Sequence, residues 1–218
     1  MKISASILAA NPLYLGDSIK ELENEGVDFI HVDIMDGHYV NNLTFGVDTV
    51  KSLCRMTNIP VEVHLELSNP EDHIENFANA GASIITVMLD TCANPIRVLE
   101  KIRKLNIKSG LSISPHVSVD AVKYLENYID YLLLLSVEPG FGGQKFQTSV
   151  YSKIKDAKKI IGNRIPIEID GGVNTDNISK LVKAGADIFV IGTGLYNNGN
   201  LKDNLKRFND IMKKADID

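Results

Sequence analysis

Eight short β-branched runs recur along the chain, each separated from the next by a longer stretch with helical spacing. They lie at residues 3–8, 29–33, 61–65, 84–89, 107–113, 131–137, 165–169 and 188–191. Apolar residues at helical intervals fill the gaps, such as Ile19 and Leu22 before the second run, and Val122, Leu125 and Tyr128 before the sixth. Gly26, Pro60, Gly81, Gly110, Pro166 and Gly185 punctuate the junctions, and Asn69-Pro70, Ser118 and Thr175 stand where helices should begin. Strands that alternate with helices are parallel βαβ units. Eight such units close naturally into a (β/α)₈ barrel, and 218 residues suffice for one such domain spanning 1–218. An open doubly wound sheet is the alternative. It normally announces itself by a Gly-rich turn after the first strand, whereas this chain has Leu8-Ala9-Ala10-Asn11-Pro12 there. The matching Ala80-Gly81-Ala82 and Ala184-Gly185-Ala186, each just before a strand, echo a repeated unit.

Strand parity then sorts the polar residues. Side chains alternate faces, so Ile30, Val32 and Ile34 share one face while His31, Asp33 and Met35 share the other. In the third run Val61, Val63 and Leu65 face the helices, leaving Glu62, His64 and Glu66 inward. In the seventh, Ile165, Ile167 and Ile169 face out, leaving Glu168 and Asp170 inward. Each group alone has an ordinary explanation: a lone inward His is commonly a satisfied core residue, and an Asp before Gly-Gly is a common turn former. Four of them converging in an apolar barrel must be paired. His31, Asp33, His64 and Asp170 form a divalent-metal set of mixed nitrogen and oxygen donors. Asp33 and Asp170, at two strand ends, are the candidate acid and base.

Two Gly-rich segments add a ligand. Val137-Glu138-Pro139-Gly140-Phe141-Gly142-Gly143-Gln144 suits a mobile lid. Gly171-Gly172 and Gly192-Thr193-Gly194 follow the last two strands, where barrels bind phosphate through backbone N–H groups and a helix N-terminus. A phosphorylated substrate, a metal and two opposed carboxylates point to proton transfer beside a carbonyl, inverting a stereocentre.

Composition narrows the partners. Net charge is −5 with no basic cluster, which argues against nucleic acid. No segment is long and apolar enough to cross a membrane, and the first residues lack the pattern of a signal peptide. Cys54 and Cys92 lie far apart and read as buried reduced thiols of a cytoplasmic protein.

These residues resemble the ribulose-phosphate 3-epimerase family over essentially the whole chain. The matching stretches are Ser4-Ala5-Ser6-Ile7-Leu8, His31 to His38, Asn42-Leu43-Thr44, His64-Leu65, Val137 to Gln144, Asp170-Gly171-Gly172 and Gly192-Thr193. The resemblance implies a (β/α)₈ barrel that interconverts D-ribulose 5-phosphate and D-xylulose 5-phosphate. It implies ligation by His31, Asp33, His64 and Asp170 of one divalent metal, with zinc, iron(II), manganese or cobalt all fitting. It implies acid/base roles for Asp33 and Asp170. It places Ser6 and His64 near the substrate, and Gly140, Phe141, Gly142, Gly143, Gly171, Gly172, Gly192 and Thr193 at the lid and phosphate. The family is often dimeric or hexameric, so a homo-oligomer is compatible with the resemblance.

Several positions depart from the family pattern around this site. Glu66, Leu135 and Met88 stand where Met, Met and His are usual. Ile113-Ser114-Pro115 replaces Leu-Asn-Pro, and Asn41 replaces a proline. Met35, Glu66, Met88 and Leu135 are the positions expected to set sugar preference. Glu66 is expected to point into the pocket, its alternative being a charge at the strand's solvated end. One alternative function is 3-epimerisation of another ketose phosphate such as D-allulose 6-phosphate. Another is a non-catalytic sugar-phosphate-binding barrel, against which both aspartates argue. A decarboxylase or synthase would need an Asp-x-Lys-x-x-Asp strand, and a Schiff-base aldolase a strand-end lysine; neither is present.

Overall fold

Which residues can be buried on both sides of a strand decides the architecture. The computed structural model describes residues 1–196 and 200–217. Its strands are β1 (Lys2–Ser6), β2 (Phe29–Met35), β3 (Val61–Glu66), β4 (Ile84–Met88), β5 (Lys108–Ile113), β6 (Tyr131–Leu135), β7 (Ile167–Asp170) and β8 (Ile188–Ile191). All neighbours pair in parallel, and β8 pairs back to β1 to close the barrel. The (β/α)₈ expectation holds and the open sheet is excluded.

Helices α1 (Leu15–Glu25), α2 (Val47–Met56), α3 (Ile74–Ala80), α4 (Pro95–Lys104), α5 (Val150–Ile161) and α6 (Ile178–Ala184) wrap the outside. Helices α7 (Thr193–Tyr196) and α8 (Leu201–Ile217) follow β8, and α8 packs on α6. Outward strand residues such as Val32, Val63 and Ile169 join helix residues such as Leu22, Leu53, Ile102 and Ile154 in one continuous apolar layer. Each such side chain contributes roughly 1.5–3 kcal/mol by leaving water. The two Ala-Gly-Ala repeats are the ends of α3 and α6: Gly81 and Gly185 take left-handed φ of 106° and 107° and turn the chain into the next strand.

Three expectations need correction. Between β5 and β6 the chain forms 3₁₀ turns at Val119–Tyr124 and Glu126–Tyr128 in place of an α-helix. Val119, Val122, Leu125 and Tyr128 recur every third residue, the period of a 3₁₀ turn rather than an α-helix; Ser118 still caps, accepting from the Asp120 N–H. The start expected at Thr175 lies at Ile178, because Asn174 takes the Asp176 and Asn177 N–H groups and Asn177 is the cap. The first and sixth strands are shorter than expected: Ile7–Ala9 turns as 3₁₀, and β6 stops at Leu135. Cys54 and Cys92 are free as expected, but only partly buried.

The barrel interior is layered. Phe29, Ile84 and Ile188, with Tyr131, plug the N-terminal end. His31 and Glu62 are register partners one layer up, followed by Asp33 with His64, then Met35 with Glu66 at the mouth. Met88, Leu133 and Leu135 form a separate apolar patch on the inner wall, with Tyr39 against it.

Candidate active site

Strand register brings the four sequence-predicted ligands together. One donor atom each from His31, Asp33, His64 and Asp170 lies within 4.8 Å of all the others. His31 and His64 are fully buried, Asp33 nearly so. His31 Nδ1 pairs with Glu62 Oε2 at 3.0 Å, which leaves Nε2 turned toward Asp33 Oδ1 at 3.0 Å and Asp170 Oδ2 at 3.9 Å. His64 Nδ1 lies 3.2 Å from Asp33 Oδ1, and its Nε2 meets Met88 Sδ at 3.2 Å. Ser6 Oγ donates to Asp33 Oδ2 at 3.3 Å. Two imidazole nitrogens and two carboxylates converging at the floor of the barrel mouth suit a divalent cation of intermediate softness.

Electrostatics split the two aspartates. Burial works to raise Asp33, but the neighbouring His31 and His64 outweigh it and hold the carboxyl far below the usual range. Asp170 is pushed up to about 6 by burial and by the Asp33 charge. Two carboxyls driven apart by their surroundings are the signature of an acid/base pair. Burial disfavours charge on His31, yet Asp33 and Glu62 keep its basicity well above the ordinary imidazole value.

Beneath this set lies a layer whose inward direction parity anticipated but whose purpose it did not. Glu62 faces His31 on one side and Glu168 on the other, one atom of each within 4.8 Å. Thr86 Oγ1 donates to Glu62 Oε1 at 2.7 Å. Burial and the adjacent Glu62 charge raise the Glu168 carboxyl well above the usual carboxylate range. Glu62 thus fixes which His31 nitrogen faces the carboxylates, the usual task of a partner behind a metal-ligating histidine.

Above the cluster, Ser6, Asp33, Met35, Glu66, Leu135, Asp170, Gly171, Gly172, Gly192 and Thr193 line one cavity with the 137–144 loop, including Gly140, Phe141, Gly142 and Gly143. Side chains brace that loop over the mouth: Gln144 Nε2 donates to Phe141 O at 2.9 Å, and Asn42 Nδ2 donates to Gly140 O at 2.8 Å. Gly171 has φ +103°, and a Cβ there would sit 2.4 Å from Val137 Cγ2, so only glycine lets the strand end meet the lid. Among the described residues a helix follows β8 from Thr193, so Gly192 and Thr193 stand at its start beside this rim.

His64 and Met88 are fully buried and lie below the residues that line this cavity, His64 with Nδ1 toward Asp33 and Nε2 on Met88 Sδ. Glu66 does line the cavity: only 2% is exposed, which removes the alternative of a solvated strand end. Burial pushes its carboxyl up to about 8. Sequence reasoning missed the Tyr39–Asp90–Ser114 network. Tyr39 OH and Ser114 Oγ both donate to Asp90 Oδ2, at 3.1 and 3.0 Å. Lys153 Nζ ties down the same loop by donating to the carbonyls of Ser114, Pro115 and Val117. Asp36 is a loop anchor, accepting the N–H groups of His38, Tyr39 and Ser68.

Comparison with known proteins agrees with this geometry. The model of the ribulose-phosphate 3 epimerase family matches residues 2–196. Ribulose-phosphate 3-epimerase of Bacillus subtilis is 38% identical over 206 residues, covering 93% of this chain and 95% of its own. That of Mycobacterium tuberculosis H37Rv is 40% identical over 197 residues, covering 89% and 85%. Among solved structures, KGPDC from Streptococcus mutans superposes with a TM-score of 0.75 at 15% identity, over 98% of both chains. That likeness concerns the fold alone.

Proposed function

The chain belongs to the ribulose-phosphate 3-epimerase family, and from that premise we propose that its barrel mouth interconverts D-ribulose 5-phosphate and D-xylulose 5-phosphate by inversion at C3. It is an isomerase, and the observation that carries the reading is the buried His31, Asp33, His64 and Asp170 cluster opening into a cavity that ends at Gly171, Gly172, Gly192 and Thr193. The donor set fits a divalent cation. His31, Asp33, His64 and Asp170 would hold it, with zinc, iron(II), manganese and cobalt all compatible. Bound there, such a cation supplies Lewis-acid stabilisation of negative charge developing on the substrate oxygens.

The chain's own groups do the rest. Loop N–H groups at Gly171–172 and Gly192–Thr193 anchor the phosphate, and the braced 137–144 loop excludes water. Asp33 on β2 takes the C3 proton from one face of the sugar, giving an enediolate. Asp170 on β7 returns a proton to the opposite face, and in the reverse direction the two exchange roles. Ser6 holds Asp33 in place, and Glu62 holds His31. Met35 and Leu135 form an apolar wall beside the reacting carbon, with Met88 supporting His64 from behind.

A second reading, 3-epimerisation of a six-carbon ketose phosphate such as D-allulose 6-phosphate, draws on the polar carboxyl group of Glu66 in a cavity wall where the family pattern has Met. A panel of C4 to C6 ketose phosphates assayed with zinc-, manganese- or cobalt-loaded protein decides between them. The proposal expects D-ribulose 5-phosphate to give the highest kcat/KM. Absence of turnover throughout, with metal bound, would defeat it.

A further inference from the structure

Glu66 has no part in the proton transfers or in holding the cation proposed above. It ends β3, is 2% exposed, and faces the cavity beside Met35 and Leu135. Among the described residues its Oε2 has no hydrogen-bond partner, and Oε1 has only His64 Nδ1, at 3.9 Å. A buried polar atom without a partner costs about 1–3 kcal/mol, so a site that retains one has a ligand group to meet it.

Position in the barrel says which group. In the closed order, β3 stands four places from β7, directly across the mouth from Gly171–Gly172. With phosphate at that rim and C3 between Asp33 and Asp170, an extended ketose phosphate runs across the mouth toward β3. Its C1 hydroxymethyl group is the end farthest from the phosphate. The neighbouring wall residues Met35 and Leu135 offer that hydroxyl nothing polar. A hydroxyl both donates and accepts, so it pairs with a carboxyl in either protonation state.

We propose that Glu66 is a specificity residue that binds the C1 hydroxyl of the ketose phosphate. The inference rests on the epimerase reading above and deepens it. A site built to hydrogen-bond a hydroxyl rejects the analogue lacking it, because the site's own polar group is left unpaired.

The test compares kcat and KM for D-ribulose 5-phosphate and its 1-deoxy analogue, using the zinc-loaded parent, Glu66→Met and Glu66→Gln. The parent should prefer the natural sugar by at least about 100-fold in kcat/KM. Glu66→Met should bring that preference within about threefold, whereas Glu66→Gln, which keeps a hydrogen-bonding head, should retain most of it. Zinc content should be equal in all three. A parent indifferent to the missing hydroxyl, or an unchanged preference in Glu66→Met, overturns the inference while leaving the epimerase reading intact. Loss of zinc from Glu66→Met would also overturn it, making the residue a cation ligand. A parent inactive on both sugars defeats the epimerase reading, and this inference with it.

Discussion

Replacing Glu62 by Leu tests how the cluster is held in shape. The carboxylate accepts from His31 Nδ1 at 3.0 Å and from Thr86 Oγ1 at 2.7 Å, 1% exposed at the barrel's centre. Leucine fills similar space but leaves His31 free to rotate and to carry its proton on either nitrogen. Loss of a partner behind a metal-ligating histidine weakens metal binding about 10- to 100-fold, or about 1.4–2.7 kcal/mol. Removing a full negative charge this close to the cation places the expectation toward the upper end. Glu62→Gln keeps an acceptor for Nδ1–H, so its loss should stay under about 10-fold. The assay is competition for zinc against a chromogenic chelator, with circular dichroism confirming the fold. A folded Glu62→Leu protein that binds zinc within about twofold of the parent would refute the reasoning, showing that Glu62 does not orient His31 or that His31 is not a ligand.

Two further outcomes follow from the same geometry. Gly171→Ala places a methyl 2.4 Å from Val137 Cγ2 at φ +103°, so it should destabilise by about 2–4 kcal/mol and lower kcat/KM; an unchanged urea midpoint would contradict this. In metal-free protein, Glu66 keeps its proton up to about pH 8, against an ordinary carboxyl value of 4.5. Below pH 4.5 the group is neutral in both folded and unfolded chains. Between about 4.5 and 8 only the unfolded chain ionises, so stability falls as pH rises, then levels off. Urea melts of the parent should therefore lose roughly 3 kcal/mol more than Glu66→Met between about pH 5 and 8; parallel curves would contradict it.

The parts of the site carried by strands were legible in the sequence, because a period of two assigns each residue a face. His31, Asp33, His64 and Asp170 needed only that rule and the barrel's closure to converge. Parity also sent Glu62 and Glu168 inward, but they meet across the barrel interior from the non-neighbouring β3 and β7, which no local pattern encodes. Glu66 sits where a strand meets its loop, and either fate suited its sequence; pairing of β3 as far as Met35 settled it. Tyr39, Asp90 and Ser114 come from three different loops, where no periodicity links them. The segment before β6 misled because a spacing of three resembles a helical face until it is counted over several turns.

Isotope transfer in deuterated water tests the central claim most directly, that Asp33 and Asp170 work on opposite faces of C3. With metal-loaded protein and D-ribulose 5-phosphate, xylulose 5-phosphate formed in the first turnovers should carry deuterium at C3, while recovered substrate carries much less. Asp33→Asn and Asp170→Asn should each abolish epimer formation. A product that keeps its original hydrogen at C3, or epimer formation surviving either substitution, would contradict the two-carboxylate account.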